Sequence, residues 1–200
     1  MKKRIAVLVS GGGTNLQALL EAEAAGKIPH GEIAMVISNN PNAYALERAR
    51  NFGVPAACIN KKELGSQAAF EAQLQAILER NGTDLIILAG FMCILSENFT
   101  SKWPKKIINV HPALIPSFCG EGYYGLRVHE EALRYGVKVT GATVHFVNEI
   151  PDGGEIIAQK AVCIEEGDTP EILQRRVMEQ AEWILLPQAA ETVCADLQGK

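Results

Sequence analysis

The sequence predicts an α/β fold of the doubly wound class, with a mostly parallel twisted sheet and helices on both faces. Three observations support this prediction. Short β-branched apolar runs alternate with segments of helical periodicity, and the connections between them are short and rich in Gly, Asn and Pro. The runs at 85–88 and 107–110 are apolar on both faces, as buried parallel strands are. Near the end of the chain, alternating strands around a turn predict an antiparallel C-terminal addition to the sheet.

The first half of the chain divides into strands and helices that follow one another in order. The clearest helix covers residues 67–80, where Phe70, Leu74, Ile77 and Leu78 recur with a period of 3.6 residues. The same patterns predict strands at 5–9, 33–38, 56–59, 85–88 and 107–110, and further helices at 14–24 and 43–52.

The second half begins with a change of composition. Residues 117–127 are rich in glycine and aromatic side chains and predict a long ordered loop, followed by a short helix at 128–135. Strands are predicted at 140–147 and 155–163. Thr169 and Pro170 open a final helix that runs to about Val193, with a kink or break expected at Pro187. Because no repeat or linker interrupts the pattern, one domain is predicted over residues 1–200.

Composition narrows the class of protein. Of the 200 residues, 48% are hydrophobic and 21% are charged, as in an ordinary soluble globular protein, and the net charge of −4 argues against a large nucleic-acid surface. No apolar run is long enough to span a bilayer. The first apolar run, at residues 5–9, is followed by Gly11–Gly13 and not by the small-residue cleavage site of a signal peptide. Five cysteines without metal or disulfide spacing indicate reduced thiols, so we expect a cytoplasmic protein.

The most informative motif lies at the end of the strand at 107–110. Asn109 and His111 interrupt an apolar run, and Pro112 stops it. Side chains two residues apart on a strand point to the same face, and ligands of open α/β sheets bind beside the carboxyl ends of strands. Histidine can transfer a proton near neutral pH, and an asparagine amide can hold a polarised oxygen. The alternative is a core histidine bonded to a backbone carbonyl; the coincidence of Asn, His and a strand end favours a site.

A glycine-rich loop, Gly11–Gly13 followed by Thr14 and Asn15, joins the first strand to the first helix. Glycines allow a ligand to approach the backbone, and the helix N-terminus offers unpaired N–H groups and a partial positive charge. The loop has neither the lysine of a Walker A motif nor the third glycine of the dinucleotide fingerprint, where Leu16 stands instead. It therefore favours a monophosphate, with Thr14 and Asn15 as side-chain donors. The alternative is a tight strand-to-helix turn.

Further candidate residues lie near this edge of the sheet. Asp152 lies in a Pro-Asp-Gly-Gly turn. Its carboxylate either accepts a hydrogen bond from the backbone of its own turn, or raises the pKa of His111 and keeps that imidazole cationic. His145 shares the face of Thr143 and could line the cleft. An alternative is a metal site built from His111, His145 and Asp152, although no compact ligand motif supports it. The apolar loop at 89–95 could be core or a slot for a flat heteroaromatic ligand. His30 and His129 are expected at the surface.

Together these residues resemble those of the folate-dependent formyltransferases. The resemblance covers residues 9–16, 38–39, 46–50, 88–95, 109–116, 141–147, 152–154 and the final helix. It implies a Rossmann-like formyltransferase domain with a phosphate-binding half at about 1–100, and a half at about 101–200 that carries the catalytic residues and the folate site. The implied reaction moves the formyl group of 10-formyltetrahydrofolate to the amine of 5-phosphoribosylglycinamide, in purine biosynthesis and without a metal.

The resemblance also implies roles for individual residues. Asn109, His111 and Asp152 would be catalytic. Those that would bind the ribonucleotide are Gly12, Gly13, Thr14, Asn15 and Glu182. Those that would bind the folate are Met92, Cys93, Ile94, Leu95, Asn109, Val147, Asn148, Glu149, Ile150, Pro151 and Asp152, with Gln67 standing where some members carry an arginine that meets the folate tail. Cys119 stands where a proline is common. The implied partners are small-molecule substrates, with no nucleic acid and no membrane, and the chain would be a monomer or homodimer.

Two other classes differ from this one in what they require. A non-catalytic sugar-phosphate-binding module would keep the glycine loop but would not need Asn109, His111 and Asp152. A nicotinamide-dependent dehydrogenase would need a dinucleotide fingerprint and an acid at the end of the second strand, where Ser38 and Asn39 stand instead.

Overall fold

A single sheet of seven strands organises residues 1–199, which are the residues that the computed structural model describes. The strand order is β3-β2-β1-β4-β5-β6-β7. The strands are β1 (Lys3–Val9), β2 (Gly31–Ser38), β3 (Ala56–Cys58), β4 (Leu85–Leu88), β5 (Ile107–His111), β6 (Val139–Phe146) and β7 (Ile156–Cys163). The helices are α1 (Thr14–Ala24), α2 (Tyr44–Asn51), α3 (Lys61–Leu64), α4 (Gln67–Arg80), α5 (Glu97–Thr100), α6 (Leu126–Tyr135), α7 (Pro170–Val177) and α8 (Trp183–Gln198), with a π-helical turn at Met178–Glu182 between the last two.

The direction of the strands confirms the predicted doubly wound fold. β1 to β5 pair in parallel, whereas β5–β6 and β6–β7 pair antiparallel. The chain winds outward from β1 to β3 on one side and then crosses to β4 on the other, so the winding direction reverses beside β1. In such sheets the ligand crevice opens at the carboxyl ends of the strands at this reversal.

Burial on both faces of the sheet explains why the central strands are apolar throughout. On β1, Ile5, Val7 and Val9 pack into one hydrophobic cluster, while Ala6 and Leu8 between them pack into another on the opposite face. The first cluster contains apolar residues of α1, α2 and α8, and the second those of α4 and α5. Burial on this scale stabilises a central strand by about 1.5–3 kcal/mol for each large aliphatic side chain. The sheet therefore gives the loops at its carboxyl edge a rigid base.

The end of the chain departs from the prediction. The helix continues through Pro187 to Gln198, and the irregularity lies upstream, in the π-helical turn that ends at Glu182. Pro187 lacks the N–H that would bond the carbonyl of Trp183, yet the α-helix is continuous across it. The one-turn helices α3 and α5 were not predicted, because four residues are too few to show a helical period.

Two further predictions from the sequence concern the exposure of His129 and the absence of a membrane span. His129, expected at the surface, is fully buried on α6 (0% exposed). Among residues 1–199, none of the helices is both long enough and apolar enough to cross a membrane.

The contact between β6 and β7 at Gly141 provides a test of the fold. A Cβ on Gly141 would lie 2.0 Å from the Lys160 carbonyl oxygen and 2.9 Å from Leu114 Cδ2. We expect Gly141→Ala to lower the free energy of unfolding by about 1–3 kcal/mol, because β7 must move away. Gly199→Ala, whose Cβ would meet nothing closer than 3.9 Å, is the control. Equal stability of the two variants in urea unfolding would contradict this packing.

Candidate active site

The end of β5 presents Asn109 and His111 on one face of the sheet. The antiparallel register places Asn109 directly opposite His145 of β6, and Asn109 Nδ2 donates to His145 Nε2 over 3.2 Å. His145 Nδ1 donates in turn to the Phe146 carbonyl oxygen at 2.8 Å. This bond fixes the tautomer that leaves Nε2 free to accept. The amide and two imidazoles thus form one connected group at the strand end.

Both ring nitrogens of His111 face protein atoms. Nε2 lies 2.8 Å from the Phe118 carbonyl oxygen, which can only accept, so Nε2 carries a proton. Nδ1 lies 3.4 Å from Asp152 Oδ2. The ring is 4% exposed, because the loop that contains Phe118 covers it. His111 is therefore an imidazole whose proton donor points at a backbone carbonyl and whose second nitrogen faces a carboxylate.

The Pro-Asp-Gly-Gly turn directs the carboxylate of Asp152 toward this group. Asp152 has a positive φ of 56°, and the close turn behind it needs glycine, since a Cβ on Gly154 would lie 1.7 Å from the Phe146 carbonyl oxygen. Asp152 Oδ2 accepts from the Gly120 N–H at 2.9 Å, and Oδ1 lies 3.5 Å from His145 Nε2. The carboxylate thus bonds across the site, and the geometry favours a site over the alternative of a residue that bonds its own turn.

Burial and charge act in opposite directions on these groups. Burial lowers the pKa of His111, while Asp152 and the Phe118 carbonyl raise it without restoring the ordinary value. Burial raises the pKa of Asp152, but the neighbouring His145 and His111 side chains and the Gly120 N–H together bring it below its usual range. The expectation that Asp152 keeps His111 cationic is therefore wrong for the net shift, because desolvation outweighs the partner, although the contribution of Asp152 has the expected sign.

The glycine loop packs against α2. Gly13 has a φ of 72° at the start of α1, and a Cβ there would lie 2.6 Å from Ala45 Cβ, so glycine is required by backbone conformation and by packing. Arg48 Nε donates to the Gly12 carbonyl and holds the loop in place. A Cβ on Gly12, in contrast, would meet nothing within 4 Å. Gly12 is therefore the position at which the backbone is open to a ligand, beside the unpaired N–H groups of the first turn of α1.

The Asn15 side chain reaches the C-terminal helices. Its Nδ2 donates to Glu182 Oε2 at 2.7 Å, which uses one of the two amide hydrogens, so the predicted phosphate contact of Asn15 stays a prediction. Glu182 lies in the π-helical turn, is 5% exposed, and has its pKa raised to about 7 by burial. The Asn15–Glu182 bond ties the start of α1 to the C-terminal helices over 167 positions of sequence.

The apolar loop after β4 is exposed at two of its four predicted folate residues. Met92 and Ile94 have exposed side chains, and Ile150 in the loop between β6 and β7 is exposed as well. The Leu95 side chain is buried in the core, so a folate contact of this residue would be made through its backbone and stays a prediction. The Met92 N–H donates to Ser10 Oγ at 2.7 Å and joins this loop to the glycine loop.

The remaining predicted folate residues lie in two places. Cys93 and Val147 are half-buried and pack against the core cluster that contains Leu95. In the loop between β6 and β7, Asn148 Oδ1 accepts from the Ile150 N–H, and Glu149 and Pro151 are exposed.

Sequence reasoning missed two members of the site, the Phe118 carbonyl and the Gly120 N–H. Both are backbone groups of a long loop, and no residue type marks such groups in a sequence. The register of β5 with β6 could have found the His145 contact, since it makes His145 the neighbour of Asn109. Over residues 1–199, no group of three or more His, Cys, Asp or Glu side chains is arranged to hold a metal ion.

The chain has a Rossmann-like sheet with an open glycine loop and a cluster of His and Asp side chains at the same edge, an arrangement that suits the transfer of a group between two bound substrates. Residues 3–189 match the family model described as formyl transferase. The phosphoribosylglycinamide formyltransferase of Haemophilus influenzae is 42% identical over 178 residues, which are 89% of this chain and 81% of that protein.

Two more relatives agree. The solved glycinamide ribonucleotide transformylase 1 of Symbiobacterium toebii superposes with a TM-score of 0.91 and 42% identity, covering 98% of this chain and 89% of that one. The bovine trifunctional purine biosynthetic protein adenosine-3 is 44% identical over 97% of this chain, but the chain spans only 18% of its length. The chain belongs to the formyl transferase family, which confirms the resemblance inferred from the sequence.

The buried carboxyl of Glu182 predicts a pH-dependent stability. Its folded pKa of about 7 lies above the ordinary 4.5, so its contribution to stability is present below pH 4.5 and is lost as the pH rises through about 7. We expect Glu182→Gln, which keeps the carbonyl acceptor for Asn15, to gain stability over the wild type between these values. Urea unfolding at several pH values measures the difference, and a difference that does not change with pH would contradict the assignment.

The Asp152 carboxylate predicts the direction in which the pKa of His111 moves. Because Asp152 raises that pKa against the effect of burial, Asp152→Asn should lower it further. Histidine titration by NMR on the wild type and the variant gives the two values. If the pKa of His111 is unchanged or higher in Asp152→Asn, the carboxylate does not act on the imidazole.

Proposed function

We propose that the chain transfers the formyl group of 10-formyltetrahydrofolate to the amine of 5-phosphoribosylglycinamide, giving formylglycinamide ribonucleotide and tetrahydrofolate. The reaction would be a metal-independent step of purine biosynthesis, carried out in the cytoplasm by one domain. The observation that carries the proposal is the cluster of Asn109, His111 and Asp152 at the end of β5, on the same edge of the sheet as the open glycine loop. Relatives named for this activity match most of the chain.

The surface around the cluster suits a folate. Met92, Ile94 and Ile150 leave apolar side chains in water in the loops after β4 and β6, and covering such groups with a flat heteroaromatic ring is favourable. Backbone groups of the same loops can bond the edge of the ring. When bound, 10-formyltetrahydrofolate supplies the formyl group and leaves as tetrahydrofolate.

Asn109 and His111 would stabilise the negative charge that develops on the formyl oxygen when the amine attacks. Asn109 uses one amide hydrogen on His145 and has a second for this oxygen. His111 carries its proton on Nε2, so it donates to the substrate once the Phe118 carbonyl has moved from that nitrogen. One such donor stabilises a transition state by about 2.7–4 kcal/mol.

Asp152 would act through His111 and as a proton acceptor. Its lowered pKa keeps it ionised near neutral pH, so it favours the protonated form of the imidazole. It would receive the proton that the attacking amine loses as the new C–N bond forms, and it would return a proton to the folate nitrogen as the bond between that nitrogen and the formyl carbon breaks. The Gly120 N–H holds the carboxylate in position for both tasks.

The two ends of the ribonucleotide would lie on either side of α1. The phosphate fits at Gly12 and Thr14, where the backbone is open, and the glycinamide end fits near Glu182. Asn15 would orient the Glu182 carboxyl with one amide hydrogen and would have its second amide hydrogen for the ribonucleotide. A cationic or hydroxyl group of the substrate would favour the ionised form of this carboxyl, whose pKa lies near 7.

Removing either proposed hydrogen-bond donor to the oxyanion, Asn109 or His111, should lower kcat. Asn109→Ala should lower kcat by about 10²–10³-fold if its amide holds the developing oxyanion. His111→Ala should nearly abolish turnover without unfolding the chain. Formyl transfer to 5-phosphoribosylglycinamide is followed by the absorbance of the released tetrahydrofolate. A wild-type chain that formylates no ribonucleotide would remove the proposal, and a His111→Ala protein with most of its kcat would remove His111 from it.

Substitutions at Gly12 and Gly13 should have different effects, one on substrate binding and the other on the stability of the fold. Gly12→Ala adds a methyl group only where the phosphate must approach, so KM for the ribonucleotide should rise by about tenfold, or roughly 1.4 kcal/mol, with KM for the folate unchanged. Gly13→Ala meets Ala45 and a positive φ, and should instead destabilise the fold. Equal increases of both KM values in Gly12→Ala would place the phosphate elsewhere.

A further inference from the structure

A cleft with a volume of about 630 Å³ lies between α1 and α8. Pockets for small molecules have volumes of about 300–1,000 Å³, so the cleft can hold one. Ala18 and Ala22 of α1 lie in one wall, and Trp183, Ile184 and Pro187 of α8 lie in the other. Because residues four apart share a face of a helix, each wall presents a continuous, largely apolar surface.

Arg48 of α2 places a cation in the lining of this cleft. The side chain is half-buried, and its acceptors, the Gly12 carbonyl at 2.8 Å and Gln17 Oε1 at 3.0 Å, are both neutral. It forms no ion pair within residues 1–199. The other charged lining residues, Lys27 and Glu21, balance each other, so Arg48 leaves the lining cationic. A half-buried guanidinium with neutral partners and further N–H donors indicates an anionic ligand.

Trp183 gives the same cleft a flat aromatic surface. Its side chain is half-buried in the wall, and its indole N–H has no hydrogen-bond partner among the residues that the structure describes. Burying such a donor without a partner is costly, and the other tryptophan, Trp103, avoids this cost by donating to Gln75 at 2.8 Å. An aromatic and aliphatic wall beside a cation suits a flat ring that carries an anionic group.

We propose that the cleft between α1 and α8 binds a small aromatic anion, with the anionic group at Arg48 and the ring against Trp183. A phosphate or a carboxylate on the ring satisfies the same chemistry. Over residues 1–199, the lining includes none of the residues proposed for catalysis or for folate binding, and it shares only Thr14 with the proposed ribonucleotide site. The ligand is therefore a molecule other than the two substrates.

Thr14 and Arg48 couple this cleft to the ribonucleotide site, a consequence that rests on the proposed function. Arg48 donates to the Gly12 carbonyl and holds the glycine loop, so an anion at Arg48 competes with that bond. The anion also brings negative charge close to the phosphate position at Gly12, and like charges repel each other. Both effects act in the same direction. The bound anion therefore raises KM for the ribonucleotide and leaves KM for the folate unchanged.

Proton–nitrogen correlation NMR tests binding without reference to activity. The chain contains two tryptophans, and Trp103→Phe assigns their two indole N–H signals. We expect the Trp183 signal to shift on titration with naphthoate or with AMP, while the Trp103 signal stays in place. The neutral counterparts, naphthamide and adenosine, should bind about tenfold more weakly, and inorganic phosphate without a ring should not shift the Trp183 signal. The probe that binds more tightly distinguishes an aryl carboxylate from a nucleotide.

A matched pair of variants locates the probe. Ala18→Phe fills the cleft and should weaken the binding of both charged probes by about tenfold or more. Ala24→Phe adds the same ring to an exposed position of α1 outside the cleft and should bind as the wild type does. Arg48→Gln should remove the advantage of a charged probe over its neutral counterpart. With naphthoate present at saturation, KM for the ribonucleotide should rise about fivefold in the wild type and in Ala24→Phe, but not in Ala18→Phe.

The contradicting results are distinct. A Trp183 signal that neither charged probe shifts, or equal affinities for charged and neutral probes, would overturn the site. Naphthoate that binds Ala18→Phe as tightly as the wild type and competes with the ribonucleotide would lie in the substrate's phosphate site, which would also overturn the inference. Binding without a change in KM for the ribonucleotide would overturn the coupling. A wild-type chain without formyl transfer would remove the proposed function and the coupling, while the NMR titration would still decide the site.

Discussion

The contact between His111 and Asp152 is the constraint on which the site depends. A buried imidazole is costly to protonate, and the carboxylate offsets part of that cost. To bring the two together, β5 must end at His111, the turn at 151–154 must place Asp152 in a left-handed conformation, and the loop at 117–120 must close over both. A change in any of these three segments would alter the proton chemistry without touching the ring itself.

Long-range bonds hold the rest of the edge in register with this contact. Ser10 receives the Met92 N–H and so fixes the loop after β4 to the loop after β1. Asn15 reaches Glu182 from the far end of the sequence. Two substrates must be held side by side for a transfer reaction, and rigid loops on one sheet edge supply that proximity. The parallel sheet, buried on both faces, gives these loops their common base.

Periodicity and strand ends were sufficient to predict the sheet, the order of its elements and the position of Asn109 and His111. They could not predict which groups surround the imidazole, since the Phe118 carbonyl and the Gly120 N–H belong to a loop without a repeating pattern. The orientation of Asn15 depends on a partner 167 positions away. Whether the pKa of His111 is raised or lowered depends on how deeply the ring is buried, and the tertiary structure determines that depth.

A double-mutant cycle on kcat tests most directly whether Asp152 works through His111. Asp152→Asn should lower kcat steeply in the wild-type background, because the imidazole loses the partner that favours its protonated form. In the His111→Ala background, the same substitution should have almost no further effect, since residues that act as a unit are strongly non-additive. If the two losses multiply instead, Asp152 acts independently of His111, and the contact on which this account depends does not carry the chemistry.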